Sequence, residues 1–473
     1  WTLDNLIYYD KEFGKHSVGL TLLQSATGYH YEESSMAAEG IPLESAKWNA
    51  LSKENVSLLD EWNSGLIEKQ LLSYMFRVNY DYNNKYLLTV SGRWDGASQL
   101  AEGNKWAFFP SAALGWRLDQ EEFLKDVTWL NQLKFRLGVG VTGNSAIDPY
   151  QTKGAIVSLY YPFGSALAPG YAASEPLIKD GAVAMANKNL SWEKTTQYNI
   201  GLDYSVLNGR ISGVLDFYTS RTTDLLMAMT IPSLNGYTNT YANVGKTSNI
   251  GVDITLNTVN VKTRDFEWST SINAAWQKDK IDELANGKED DINNNWFIGQ
   301  ALGVIYGYEC GGLWKEEDAA EMAKFNAKGH SFQAGMVRPI DQNGDYKIDP
   351  NDDRVIIGHT RPRWTFGMTN TFTYKNFDLS VMMYGRFDYM VDTGGEWQGG
   401  RYMQRKINYY NENNKNAEYQ KPIYNIGGGD PYYRIVGYKN GSFLKVRNIS
   451  LGYTFPQTLI KKWNLSNLKV YVH

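Results

Sequence analysis

The sequence predicts an all-β fold, a transmembrane antiparallel β-barrel, and three observations carry that reading. Segments near ten residues long alternate apolar and polar side chains, tight turns alternate with long polar connections, and aromatic rings crowd the strand ends beside the tight turns. Composition agrees. The chain has 473 residues with 33 Tyr, 15 Trp and 14% aromatics, yet its hydrophobic share is an ordinary 42%. No run approaches the ~20 apolar residues that a helical membrane span needs, and this does not exclude a barrel, whose strands average out polar. With 47 Lys+Arg against 51 Asp+Glu the net charge is −4, so no basic field exists to hold nucleic acid. One Cys excludes a disulfide framework and a thiolate metal cluster.

Each strand has its own signature. Leu6 to Phe13 and His16 to Ser25 form a first hairpin. In Ser73 to Tyr82, Tyr74, Phe76, Val78, Tyr80 and Tyr82 alternate with Met75, Arg77, Asn79 and Asp81. After Asn83-Asn84 the phase resumes, with Tyr86, Leu88 and Val90 on one face and Thr89, Ser91, Arg93 and Asp95 on the other. Trp106 to Leu118 and Leu133 to Thr142 follow. In Thr195 to Val206, Tyr198, Ile200, Leu202 and Tyr204 oppose Gln197, Asn199 and Asp203, before the turn Leu207-Asn208-Gly209-Arg210. Ile250 to Thr258 returns through Lys262 to Asp265 into Phe266, Trp268, Thr270, Ile272, Ala274 and Trp276. Arg363 to Tyr374 pairs with Phe377 to Arg386, and Ser442 to Phe455 slips phase at Asn448, which predicts a β-bulge. The total is about fourteen strands, most of bilayer-spanning length.

The long connections are expected at Ala26 to Gln70, Gly143 to Trp192, Thr222 to Ser248, Gln277 to Pro362 and Phe387 to Gly441. Connections this long count against a compact soluble domain, whereas a membrane barrel places long loops outside and short turns in the periplasm. A soluble β-sandwich also alternates along its strands. Strand length, loop asymmetry and ring placement at a headgroup girdle favour the barrel over it. The polar face, with Arg77, Asp81, Arg93, Asp95, Gln197 and Asp203, would line the lumen.

One loop carries a metal-like spacing. Asp341, Asn343, Asp345, Asp349 and Asp352 fall at positions 1, 3, 5, 9 and 12, with the Lys347 carbonyl at 7, the set of hard oxygens by which a loop wraps calcium. Position 6 is Tyr346 where an EF-hand wants Gly, and position 12 is Asp rather than Glu, so an Asx-rich turn is the competing reading. A structural Ca2+ role is expected, with no organic cofactor. No catalytic constellation is present: His16, His30, His330, His359 and His473 are scattered, acidic pairs lie on polar loops, and Cys310 reads as a small packing residue. No enzymatic activity is expected. Rings in the loops, among them Trp296, Trp314, Trp397 and Tyr402, are candidates for stacking on a sugar or gripping a peptide, with loop packing as the alternative.

Several strings carry a resemblance. Tyr74-Met-Phe-Arg-Val-Asn-Tyr-Asp-Tyr82, Lys85 through Gly96, Trp106-Ala-Phe-Phe-Pro-Ser-Ala-Ala-Leu-Gly-Trp-Arg117, Leu137 through Asn144, Leu190 through Asp203, Asp341-Gln-Asn-Gly-Asp345 with Asp353 through Gly358, and Gly441 through Tyr453 together resemble the C-terminal half of SusC/RagA-type TonB-dependent transporters. The resemblance implies a barrel of about 22 strands in the outer membrane of Bacteroidota, plugged by an N-terminal domain and importing oligosaccharides or peptides with energy delivered through TonB. It also implies a SusD-like surface lipoprotein as lid, and pairing of two transporter-lid units. On this reading residues 1–473 are one partial barrel domain, a piece of a longer protein, with plug, TonB box, early strands and final strands outside it. A passive porin and a soluble carbohydrate-binding or adhesin domain are the rival functions.

Overall fold

The computed structural model describes residues 1–39, 45, 57–153, 157–164, 166–172, 185–232, 239–393, 407–422 and 429–473. Fourteen strands, hydrogen-bonded in chain order, form one sheet. They are β1 (Thr2–Phe13), β2 (His16–Glu39), β3 (Ser57–Tyr82), β4 (Tyr86–Ala97), β5 (Trp106–Arg117), β6 (Leu130–Asn144), β7 (Glu193–Val206), β8 (Ile211–Thr223), β9 (Lys246–Lys262), β10 (Phe266–Glu283), β11 (Trp364–Tyr374), β12 (Phe377–Phe387), β13 (Phe443–Thr454) and β14 (Lys469–Val472). The chain divides into two compact units, one of Trp1–Glu121, Arg136–Asn199 and Ser220–Lys246, the other of Glu122–Phe135, Ile200–Thr219 and Thr247–His473.

Register explains why alternation in the sequence becomes two chemically distinct faces. In the first unit Tyr74 lies opposite Trp94 and Trp94 opposite Phe108. The rows Val78, Val90, Ala112 and Tyr82, Tyr86, Trp116 run parallel to it. The reverse face carries Ser73 opposite Asp95, and Arg77 opposite Ser91. In the second unit Phe266, Tyr374, Phe377 and Tyr453 form one apolar row, and Ile272, Met368, Met383 and Val446 another. The bulge predicted at Asn448 is present: Met382 faces Asn448 while Met383 faces Val446, which leaves Arg447 unpaired in the ladder.

Nothing among the described residues covers the apolar face. Tyr74 is 49% exposed, Trp94 52%, Leu114 55% and Ile449 55%. A soluble sandwich would have to bury this face, so its exposure decides for a surface solvated by hydrocarbon. No helix among the described residues is long and apolar enough to cross a membrane, and the crossing elements are strands.

At the turn edge, rings collect as the sequence predicts. Phe13 stacks on His16 at 5.3 Å, Tyr82 stacks on Tyr86 at 6.4 Å, and His16 meets Tyr82 tilted at 4.9 Å. Asn83 and Asn84 take φ of 57° and 54°, the left-handed pair that a primed two-residue turn requires and that Asn tolerates. Successive turns are bonded to their neighbours. The Asn83 amide donates to the Lys15 carbonyl, Arg117 to Lys85, Leu207 to Trp129, Val259 to Arg210, Lys375 to Asp265, and Thr454 to Asn376.

Two expectations are revised. β2 and β3 continue for 24 and 26 residues and pair as far as Glu39 and Ser57, so the Ala26 to Gln70 connection shrinks to 40–56. Backbone pairing does not need apolar side chains once the strands leave hydrocarbon, so the polar stretch after Tyr31 stays extended. The alternation of short and long connections is also less strict than expected, because 98–105 is short on the loop edge. On the turn edge, 118–129 and 455–468 are longer and carry helical turns at Leu118–Gln120 and Gln457–Ile460.

Candidate functional site

The polar face is built from pairs along and across its strands. Arg93 Nε donates to both carboxylate oxygens of Asp95 at 2.7 and 2.9 Å, and its Nη2 reaches Ser73 Oγ at 2.8 Å. Ser73 and Asp95 are almost fully buried. One step of the ladder nearer the turn edge, Ser91 and Ser111 share a hydrogen bond of 2.6 Å, and Thr89 donates to Asn79 at 2.9 Å. Arg77 lies exposed on the same face, in register with Ser91. Asp81 instead serves the turn, where its Oδ1 accepts the Asn84 amide at 2.7 Å and caps it. In β7, Gln197 and Asp203 share the parity opposite to the exposed Tyr198 and Ile200. The sequence-predicted set therefore shares a face within each strand, and the structure joins Arg93 to Asp95 directly.

Two cores form at the loop edge, the first shared between strand ends and connections and the second within the 284–363 loop. In the first unit Ala97, Leu100, Phe109, Ile147, Leu190 and Trp192 cluster, with Trp192 edge-on to Phe109 at 5.3 Å. In the second, Trp314, Met322, Phe325, Phe332, Met336 and Ile348 pack together. The helix α1 (Ala319–Ala327) contributes Met322 and Phe325 to the latter. Two small sheets brace it, Val304–Tyr308 with Arg354–His359 and Cys310–Leu313 with Val337–Pro339. Trp314 has no exposed surface and lies under the Arg338 guanidinium at 4.6 Å. It is part of the loop's own packing and presents no stacking face to a ligand, which corrects its reading as a substrate ring. Trp296 is half-buried, its backbone paired in both directions with Asp291. Trp397 and Tyr402 lie outside the described residues.

Electrostatics in this loop follow burial. Burial pushes the Tyr432 hydroxyl up to about 12, helped by nearby Tyr308, Asp353 and Asp430. Burial likewise raises the Asp430 carboxyl, although it accepts the Val337 and Tyr432 amides. His330 is held below its ordinary value by burial, and as a neutral ring its Nε2 accepts the Ile348 amide at 2.9 Å. Cys310 is a half-buried thiol raised by burial, in keeping with a packing residue.

The acidic loop folds on itself. Asp341 accepts the Gly344 amide at 2.7 Å and the Tyr346 amide at 2.8 Å, Asn343 accepts Asp345, and Asp345 accepts Lys347. Tyr346, at the position where an EF-hand has Gly, adopts the left-handed φ of 63°. Asp349 accepts the Asn351 and Asp352 amides and the Lys347 ammonium, which with those bonds holds its carboxyl below the ordinary range. Asp352 is exposed, whereas Asp353, one residue on, is wholly buried and accepts the Gln342 and Asp349 amides at 2.8 Å each. Sequence spacing passes over Asp353; the adjacent pair Asp352-Asp353 is the only signal for it. Among the described residues no three His, Cys, Asp or Glu side chains converge as a metal-binding group.

With a sheet whose one face is apolar and exposed and whose other face is polar, the molecule is an outer-membrane β-barrel protein. Residues 2–471 match the model of the family described as "TonB dependent receptor-like, beta-barrel", and the chain belongs to that family. It is 32% identical over 440 residues to the TonB-dependent receptor SusC of Bacteroides thetaiotaomicron, covering 86% of this chain and 40% of that protein. It is 29% identical to the TonB-dependent receptor P3 of Formosa agariphila, covering 99% of this chain and 47% of that one. A solved structure of the RagAB peptide importer in an open-open state superposes with a TM-score of 0.79 at 23% identity, over 99% of this chain and 50% of that one. The chain thus spans about half the length of the relatives it matches and is a SusC/RagA-type barrel.

Proposed function

We propose that the chain forms the C-terminal part of the barrel of a TonB-dependent importer that takes up oligosaccharides or peptides and works with a SusD-like surface lipoprotein as lid, in paired transporter-lid units. The observation that carries this reading is the family match across residues 2–471 on a sheet with one face for lipid and one for water. The Arg93–Asp95 pair and Arg77, with Gln197 and Asp203, would then line the lumen. TonB would engage through the N-terminal region outside this chain, and no catalysis is assigned. The buried Trp314 weakens the aromatic argument for glycan, while the fold neighbour RagAB is described as a peptide transporter. The test is uptake of a labelled oligosaccharide and a labelled peptide by cells with and without the full-length gene. Import that needs the gene and stops when the proton motive force is collapsed supports the reading. Gene-dependent uptake that survives collapse of the proton motive force favours a passive porin instead.

We also propose calcium for the 341–353 loop. The donor set is all oxygen, as calcium wants, and a carboxylate oxygen that accepts one amide keeps a second lone pair for an ion. Asp341, Asn343, Asp345 and Asp349 with the Lys347 carbonyl would hold it, Asp352 or Asp353 closing the set. Chelation, or Asp341→Ala with Asp345→Ala, should then speed proteolysis within 284–363 and leave the barrel intact. Identical cleavage with and without chelator, and no metal by elemental analysis, would reduce the loop to an Asx-rich turn.

A further inference from the structure

On the loop edge of the first unit, β2 and β3 run on past their neighbours as a ribbon of two strands. β1 pairs with β2 as far as Thr2 opposite Thr27, and β4 pairs with β3 from Leu71 opposite Ala97 onward. Past those points β2 and β3 hold each other in register without a shift up to Met36 opposite Trp62. From Tyr74, in a ring row of the apolar face, to Lys69 the strand advances about 16 Å. His30, Glu32 and Glu68 stand there on the parity of Leu22 and Phe76, Glu33 and Lys69 on the other, and all five are exposed. Charge on both faces requires water on both sides, so the ribbon has left the hydrocarbon.

Because the register is unbroken, the polar wall continues into one face of this ribbon. The face with Thr21 opposite Arg77 and Ser25 opposite Ser73 goes on to carry Tyr29 opposite Lys69, Tyr31 opposite Ile67 and Glu33 opposite Gly65. Tyr29 and Tyr31 are 45% and 42% exposed, their ring planes 16° and their centroids 6.5 Å apart. Both rings are held in place. The Tyr31 hydroxyl donates to Glu33 Oε2 at 2.8 Å, and Lys69 Nζ sits 4.9 Å from the Tyr29 centroid. A side chain at Gly65 would press on Glu33 Oε1 at 3.2 Å, so glycine keeps that oxygen open. The ribbon is braced as well: on its other face His30 meets Glu68 at 3.0 Å and Glu32 at 3.3 Å, and at its edge the Glu68 amide donates to the Tyr150 hydroxyl at 3.1 Å.

Two exposed, near-parallel rings beside an acceptor and a donor suit a sugar chain, whose C–H faces stack on rings while its hydroxyls bond Glu33 and Lys69. Lys69 balances Glu33, so this face has no net field with which to select an ionic ligand. A peptide recognised by strand addition is read through main-chain groups at a sheet edge, whereas this platform offers side-chain faces. We infer that Tyr29, Tyr31, Glu33 and Lys69 form a subsite at the barrel mouth for a neutral oligosaccharide. The subsite deepens the import reading above and rests on it.

The test is isothermal titration of the full-length transporter in detergent with maltohexaose, cellohexaose and xylohexaose, and with a neutral hexapeptide of Gly and Ser. Wild type is expected to bind at least one of the three sugars, and Tyr29→Ala with Tyr31→Ala to weaken that sugar about tenfold. Tyr29→Phe keeps the ring and should bind as wild type does, while Glu33→Gln should lose a smaller factor than the double variant. Heat-modifiable gel migration shows that each variant is folded. Equal affinity of wild type and the double variant, or no binding of any of the three sugars by wild type, overturns the subsite, and uptake that stops with the proton motive force would still leave the import reading standing. Uptake that survives that collapse would overturn the import reading itself. Binding of the peptide in place of the sugars, lost in the double variant, would give the platform to peptides and overturn the glycan assignment.

Discussion

Arg93 is bonded to two nearly buried groups, Asp95 and Ser73, and its loss would leave a carboxylate without its counter-charge. Breaking such a pair costs more than never having built it. Arg93→Met should therefore destabilise the folded barrel by about 1–3 kcal/mol, and Asp95→Asn by less, since a neutral amide needs no counter-ion. Unfolding of the two variants in urea and detergent orders them, and an equal or reversed order would contradict the argument. A second residue sets a pH limit at the turn edge. Glu121 accepts the Tyr86 hydroxyl at 2.7 Å, the Trp116 indole at 2.9 Å and the Lys85 ammonium at 3.0 Å. Those bonds, Tyr86 first, lower its carboxyl to about 2. Because the folded value is depressed, its contribution is complete above the ordinary value near 4.5 and is lost as pH falls through about 2. The Trp116 emission, taken as the difference between wild type and Trp116→Phe, should shift within that window. A flat difference from pH 5 to 2 would refute this role for Glu121.

The hairpins are legible because each face repeats every second residue and each turn has its own chemistry. Asn83-Asn84 and the slip at Asn448 are local signals, and local signals survive in a single sequence. The loop core is not legible, because its members are separated in sequence and meet only in space. Trp314, Phe325 and Ile348 look like isolated apolar residues in a polar stretch, and α1 is only 9 residues long, too short for periodicity to stand out. Asp353 is hidden for the same reason, since spacing alone cannot tell which of two neighbouring carboxylates turns inward. The element is nonetheless cooperative: Phe325 is 3% exposed and meets Trp314, Phe332 and Tyr346 edge-on at 5.5 to 5.7 Å. Phe325→Ala should cost the loop about 3 kcal/mol and expose 284–363 to protease. The strands keep their own ladder, so heat-modifiable migration should not change. Loss of barrel migration together with loop cleavage would show that loop and sheet fold as one.

For the whole molecule the consequence of topology is sidedness. Within the first unit the tips 14–15 and 83–85 lie at the same edge, tied by the Asn83 to Lys15 bond. Within the second unit 207–210, 263–265 and 375–376 are tied to their neighbours in the same way. The opposite edge carries 98–105 and the extended connections 145–192, 284–363 and 388–442. Outer-membrane barrels keep their short turns on the periplasmic side and their long loops outside, and the same asymmetry of edges is present here. The turn edge should therefore face the periplasm in both units. Single cysteines at positions 14, 84, 208, 264 and 375, placed in a Cys310→Ser background because the native thiol sits in a long loop, should resist an impermeant maleimide on intact cells and react after lysis. Cysteines at 103 and 412, in loop-edge connections, should react on intact cells. Labelling of the five turn positions with protection of the two loop positions would reverse the orientation, and the lumen assignment of Arg77 and Arg93 would survive that reversal, because it depends on face and not on direction.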